Sequence, residues 1–211
     1  MHEVWVIVVA AGSGRRYGGA KQYELLAGRR VLDWSLDAAR AVTGDGGGVV
    51  AVVTPAHAAD DEPGADVVVA GAATRSGSVR AGLAVVPQGA DVVVVHDGAR
   101  PLAEPRLFQA VVDAVRAGAD AAIPGTAVTD TLRARSGGLV DRDGLVAVQT
   151  PQAFRASALR AAHATDAEST DDASLVEAEG GKVVVVDGSP TNLKITRPAD
   201  LAIAEALLRA R

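Results

Sequence analysis

The 211-residue chain is 48% hydrophobic and 22% charged, the composition of a globular protein long enough to bury a full core as one domain, or one domain with an excursion. Its formal net charge of −5 excludes the broad basic field of a nucleic-acid binder, so an anionic partner must be met by a local cluster of cations, which points to a small ligand. The absence of cysteine removes disulfides, thiolate metal sites and thiol nucleophiles together.

In chain order, "VWVIVV" (Val4–Val9) reads as a strand, followed by the glycine-rich turn "AAGSGRRYGGAKQY" and an amphipathic helix from Val31 to Val42. Strands follow at Gly48–Val53 and Ala65–Ala70, a helix at Arg75–Val85, a strand at Asp91–His96, a helix near Glu104–Ala117 and a strand at Ala119–Pro124. Short β-branched runs without polar alternation suit strands covered on both faces. Alternating β and α units then predict an α/β fold: a doubly wound, mostly parallel sheet with right-handed crossovers. From Thr126 to Val148 the pattern changes to apolar/polar alternation around "ARSGG", which predicts a protruding antiparallel β-arm over about residues 126–147. A lone hairpin is marginal in water, so the arm is expected to pack on a second copy of the chain. A helix before "ESTDDASLVEAEGG", a strand at Lys182–Gly188, a short strand carrying Lys194 and a closing helix started by "RPAD" complete a single domain over residues 1–211. The first strand begins almost at Met1, leaving no room for a signal peptide, and no apolar run is long enough to span a bilayer. The expected compartment is the cytoplasm.

The glycine turn is the first constellation with chemistry in it. Gly12 and Gly14 permit positive φ and close backbone approach, so successive N–H groups can face a phosphate. The spacing fits neither G-x-G-x-x-G nor a Walker A loop, and an ordinary tight turn is the plain alternative. Arg15, Arg16 and Lys21 raise the reading to a polyphosphate site, with Arg16 the inward arginine. Only three of the 21 cations are lysines, Lys21, Lys182 and Lys194, and two of these fall in candidate motifs. The second constellation is "VVVVHDGARP": four valines put Asp97 at the carboxyl end of a central strand, where open α/β sheets bind ligands. There an aspartate organises a divalent cation or a substrate hydroxyl, or else caps the following turn. Arg100 can pair with Asp97, and His96 reads as a core residue. Ser76 or Ser78 reads as an N-terminal cap or first-turn residue of a helix that, with Arg75, could border a nucleoside pocket. Lys194 reads as a snorkelling cation, while Thr150, Thr170, Asp171 and Asp172 offer groups to a polyol phosphate or cap a helix.

The ordered motifs "AAGSGRRY…AKQY", "ATRSGSVRAGL", "VHDGARP", "VDRDGLVAVQTPQAF", "TDDASLVE" and "NLKITRPADL" resemble the 2-C-methyl-D-erythritol 4-phosphate cytidylyltransferase family from about Val4 to Leu208. The resemblance implies a Rossmann-like, homodimeric nucleotidyltransferase of non-mevalonate isoprenoid synthesis. Such an enzyme uses CTP and Mg²⁺ or another divalent cation, with neither nucleic acid nor membrane as partner. It implies that Arg16 and Lys21 stabilise charge on the α-phosphate, and that Ala10, Ala11, Gly12, Ser13 and Gly14 hold the CTP phosphates and ribose. Gly71 and Ser78 would border the cytosine, and Asp97 would sit by the metal and the incoming alcohol. Arg142 and Lys194 would position the methylerythritol phosphate, with Arg100, Thr150 and Thr170 at the substrate pocket. Because the family's arm swaps between subunits, Arg142 and Thr131 would complete the partner's site. Val9 and Ala20 stand where the family has proline, Gly98 where it has alanine, and Thr191 where an acidic residue is frequent. Rival readings are a cytidylyltransferase for another polyol phosphate such as ribitol 5-phosphate, a nicotinamide-dependent oxidoreductase, and a non-catalytic nucleotide sensor.

Overall fold

The computed structural model describes residues 3–210. Strand β1 (Val4–Val9) leads into the glycine loop, a 3₁₀ turn at Lys21–Tyr23, a small hairpin of β2 (Leu25–Leu26) and β3 (Arg29–Arg30), and helix α1 (Val31–Thr43). Then come β4 (Gly48–Val53), β5 (Val67–Ala70), α2 (Arg75–Val85), β6 (Val92–Asp97), α3 (Pro105–Arg116) and β7 (Ala121–Ala127). The short strands β8 (Leu132–Arg133) and β9 (Leu139–Val140) lie in the arm, and β10 (Val146–Val148) and β11 (Gln152–Arg155) return to the sheet. The chain ends with α4 (Ala156–Ala162), α5 (Asp172–Ala178), β12 (Val183–Asp187) and α6 (Pro198–Arg209).

The main sheet has the order β10-β7-β11-β6-β1-β4-β5, with β12 parallel beside β7. β1 is parallel to both β4 and β6, so the strand order reverses at the β1/β6 boundary, the switch point of a doubly wound sheet. Apolar side chains cover both faces. Val6, Val8, Leu32, Leu36, Phe108 and Val111 fill the face under α1 and α3, while Ile7, Val52, Val79, Leu83, Phe154 and Leu159 fill the other. All six residues of β4 are buried, and each buried valine contributes about 1.5–3 kcal/mol. A third, smaller cluster of Leu26, Val31, Leu102, Ile195 and Ala204 fastens α6 and the β2–β3 hairpin near the end of the sheet where the strands finish.

Four sequence expectations change. β11, an antiparallel strand lodged between β6 and β7, is absent from the sequence reading, because "QAF" is too short to show a period although all three residues are buried. Helix α5 is absent from it too; Asp171 caps that helix by accepting from the Ser174 amide, the capping alternative for the acidic cluster. Lys194 sits on an extended loop, not a strand, tied down where the Ile195 amide donates to the Ala99 carbonyl. The arm is not the one continuous ladder its alternation implies: Thr126–Ala127 pair with Val146–Ala147 at its base and Leu132–Arg133 with Leu139–Val140 further out, the two parted where a turn at Arg142–Leu145 interrupts the second half.

Candidate nucleotide-binding and catalytic site

The β1–β6 register pairs Val9 with Asp97, so the glycine loop leaves the sheet beside that carboxylate. A cleft of about 680 Å³ opens there. Its walls are the Ala10–Gly14 backbone, Arg15, Arg16, Lys21, the Ala72–Arg75 loop, Ser78, Asp97 and Lys194. The loop is built by two glycines. Gly14 has φ +64°, and a Cβ there would meet the Gly19 carbonyl oxygen at 1.7 Å. A Cβ on Gly71 would meet the Ala11 Cβ at 2.1 Å, so Gly71 serves by letting the two loops touch and is not itself on the cleft wall. The Gln22 amide, buried beneath, donates to the Gly12 carbonyl at 3.5 Å. Gly14→Ala is expected to displace the loop, weakening triphosphate binding by roughly tenfold and lowering the melting temperature by about 2–8 °C, since positive φ costs an L-residue about 1–2 kcal/mol in the folded chain. Nucleotide titration alongside thermal melting checks this.

Asp97 is the electrostatic hub. Its Oδ2 accepts from Lys194 Nζ at 2.7 Å and lies 3.6 Å from Arg100 Nε, while its Oδ1 faces Arg75 Nε at 3.8 Å. Burial pushes the carboxyl up, but Lys194, Arg75 and Arg100 together overcome this and hold it well below the usual carboxylate range. Lys21 goes the other way: burial lowers its ammonium, the neighbouring charge of Lys194 lowers it further, and Asp97 only partly offsets this. Among the described residues no carboxylate forms an ion pair with Arg15, Arg16 or Lys21. The cleft therefore concentrates cations that repel one another until an anion enters. A second cleft, lined by Arg29, Arg30, Asp33 and Asp37, differs because its charges are spent internally in the pairs Arg29–Asp37, Arg30–Asp33 and Arg30–Glu62.

Several candidates lie behind or away from the wall. Thr150 is buried: its Oγ1 accepts from the Asp97 amide at 3.0 Å and lies 3.3 Å from His96 Nδ1. It thus steadies the Asp97 backbone from beneath. Arg100 is anchored to the Asn192 carbonyl at 2.8 Å and also sits outside the cleft wall. Ser78 does reach the wall, but its hydroxyl accepts from the Ala72 amide at 3.0 Å and donates to the Thr74 carbonyl at 2.9 Å, shaping the loop that borders the cleft. Thr74, not either serine, caps α2. Thr131, Arg142 and Thr170 are exposed and outside this cleft, with the Arg142 guanidinium donating to the Thr129 carbonyl of its own arm. Gln22 and Thr196 are wall positions that motif reading did not assign to the site, while Arg75, read as a possible border of a nucleoside pocket, does line the cleft.

His96 is wholly buried against Phe108, and burial lowers its imidazolium from 6.5 to about 3. It is therefore neutral at physiological pH, with its Nδ1 sharing a hydrogen bond with the Thr150 hydroxyl. The unfolded chain takes up a proton below pH 6.5 that the folded chain refuses, so this contribution to stability is full above 6.5 and shrinks as pH falls. Urea unfolding is expected to show a loss of up to about 1.4 kcal/mol per pH unit below that point, absent in His96→Gln. Equal pH dependence in the two proteins would contradict it.

A glycine loop and unspent cations at the switch point of a doubly wound sheet define a nucleotide-binding α/β protein. The 2-C-methyl-D-erythritol 4-phosphate cytidylyltransferase family matches residues 4–210, and the chain belongs to it. A protein of that name from Parasynechococcus marenigrum is 41% identical over 98% of this chain and 98% of its own length. A bifunctional enzyme IspD/IspF of Solidesulfovibrio magneticus is 42% identical over 96% of this chain. The chain spans only 57% of that relative's length, a little over half. The crystal structure of the Thermus thermophilus cytidylyltransferase superposes with a TM-score of 0.84 at 36% identity, covering 98% of this chain and 99% of that one.

Proposed function

We propose that the chain transfers CMP from CTP to 2-C-methyl-D-erythritol 4-phosphate with release of pyrophosphate, as a step of non-mevalonate isoprenoid synthesis. The observation that carries the reading is the gathering of Arg15, Arg16, Lys21 and Lys194 around the glycine loop and Asp97 in one cleft. The alcohol substrate's phosphate is the nucleophile, attacking the α-phosphorus in line. A phosphate monoester has a second pKa of about 6, so it is already anionic at neutral pH and needs no general base. That agrees with a site whose adjacent histidine, His96, is buried and neutral. Lys21 and Arg16 stabilise the charge that grows on the α-phosphate, and Lys194, held by Asp97, orients the incoming phosphate.

Mg²⁺ or another divalent cation belongs to this reading. Asp97 lines the cleft and its Oδ1 accepts no hydrogen bond among the described residues, so this carboxylate would hold the cation together with the substrate phosphates. When bound, it would neutralise charge on the triphosphate oxygens.

The arm belongs to a homodimer in this reading: Leu139 and Val146 are 70% and 44% exposed, an apolar surface that a second copy would cover, bringing Thr131 and Arg142 to the neighbouring site. No helix among the described residues is long and apolar enough to cross a membrane, and the reading is of a cytoplasmic enzyme with small-molecule partners only.

The nicotinamide alternative finds no acidic residue at the end of β4, where Thr54 and Pro55 follow Val53. Pyrophosphate release measured over all four nucleotides, with methylerythritol phosphate and ribitol 5-phosphate side by side, tests the proposal. Preference for CTP and methylerythritol phosphate is expected. Faster turnover of ribitol 5-phosphate would overturn the choice of alcohol, and CTP binding without pyrophosphate release would make the chain a sensor.

A further inference from the structure

Arg75 is shared between two carboxylates unequally. Its Nη1 donates to Asp172 Oδ2 at 2.7 Å, while its Nε stops 3.8 Å short of Asp97 Oδ1. Asp172 is fully buried at the start of α5, and its other oxygen meets His163 Nε2 at 3.0 Å, with the His163 side chain itself 1% exposed. The two carboxylates differ in need. Asp97 has Lys194 and Arg100 on Oδ2, whereas Asp172 has Arg75 as its one strongly charged partner. A buried carboxylate stripped of its cation is costly, so the guanidinium commits to Asp172. The consequence falls on Asp97 Oδ1, which among the described residues has no hydrogen-bond donor within reach and lies on the cleft that Arg75 also lines.

The geometry points to Asp172 and His163 as positioning residues that hold the Arg75 guanidinium back from Asp97, keeping one oxygen of that carboxylate open for a divalent cation. A hard cation takes carboxylate and phosphate oxygens together, and a guanidinium paired to Oδ1 would compete for the same lone pairs. With Asp172 neutralised, Asp97 is the remaining ion-pair partner of Arg75, since Asp171, which also attracts it, is engaged in capping α5, and the competing pair closes. The inference rests on the assignment of Asp97 as the protein's ligand to the cation.

The test compares CTP affinity with Mn²⁺ present against that in EDTA, with water-proton relaxation reporting protein-bound Mn²⁺. Asp172→Asn is expected to reduce the gain conferred by Mn²⁺ by roughly tenfold, the lower end for loss of an outer-shell partner, leaving CTP binding in EDTA unchanged. The Mg²⁺ concentration for half-maximal turnover should rise in parallel. Arg75→Gln/Asp172→Asn removes competitor and clamp together and should restore the wild-type gain, which a merely structural role for Asp172 does not foresee. Because it buries no unpaired charge, the double variant also decides the matter if Asp172→Asn fails to fold. A wild-type gain in Asp172→Asn, or a lost gain in the double variant, overturns the inference. Asp97→Asn separates the two assignments: if it keeps the Mn²⁺ gain, the metal assignment itself is wrong, whereas loss there with no change in Asp172→Asn defeats only the clamp.

Discussion

Lys21→Ala is expected to lower kcat by roughly 10²–10³-fold, about 2.7–4 kcal/mol of transition-state stabilisation, the scale seen for loss of one preorganised donor to a developing oxyanion. The basis is the electrostatics of the cleft. Lys21 is half-buried on a 3₁₀ turn, where burial and then the neighbouring charges of Lys194 and Arg16 depress its ammonium and Asp97 only partly offsets them. Such cations are worth most to an anion whose charge grows during the reaction. Lys21 contributes to none of the three apolar clusters, so the melting temperature should stay near that of wild type. Steady-state kinetics with CTP in excess, together with a melt, make the check. Turnover within a few-fold of wild type would remove Lys21 from the chemistry.

Asp97→Asn should damage both activity and fold. Three cations converge on this carboxylate, and Arg100, with a side chain only 12% exposed, keeps no other carboxylate among its ion-pair partners when it is neutralised. Breaking a buried pair costs about 3–5 kcal/mol; because Lys194 is more than a third exposed and can resolvate, about 2–3 kcal/mol is the expected loss in urea unfolding. Turnover should fall by at least about 10²-fold, since Lys194 loses its partner at 2.7 Å and, in the proposed reading, a divalent cation would lose its carboxylate. A variant as stable as wild type within about 0.5 kcal/mol, the range of an ordinary surface change, would mean that the three cations do not depend on Asp97.

Much of this site is legible in the sequence. The glycine loop and its cations lie on one continuous segment, and the "VVVVHD" run fixes Asp97 at a strand end because an uninterrupted valine run suits a covered strand. What stays hidden depends on contacts between distant segments. Thr150 reads as a pocket hydroxyl, and only the β6–β11 pairing turns it toward the Asp97 amide. Gly71 reads as a base-bordering glycine, but its need comes from the Ala11 side chain on another loop. Arg75 stands out at the start of α2, yet its hold by Asp172 spans 97 positions along the chain, and no local pattern announces it. The short β11 escapes for the same reason: its identity comes from burial between two strands and not from any period of its own.

The central claim is that this cleft cuts CTP between its α- and β-phosphates and hands the CMP to methylerythritol phosphate. Parallel incubations with CTP radiolabelled at the α- or the γ-phosphorus, with Mg²⁺ and this alcohol, test it most directly. The account predicts that the α-label appears in a cytidine diphosphate-linked alcohol and the γ-label in pyrophosphate, in equal amounts. Label released as CMP or inorganic phosphate, or no transfer at all, would contradict it.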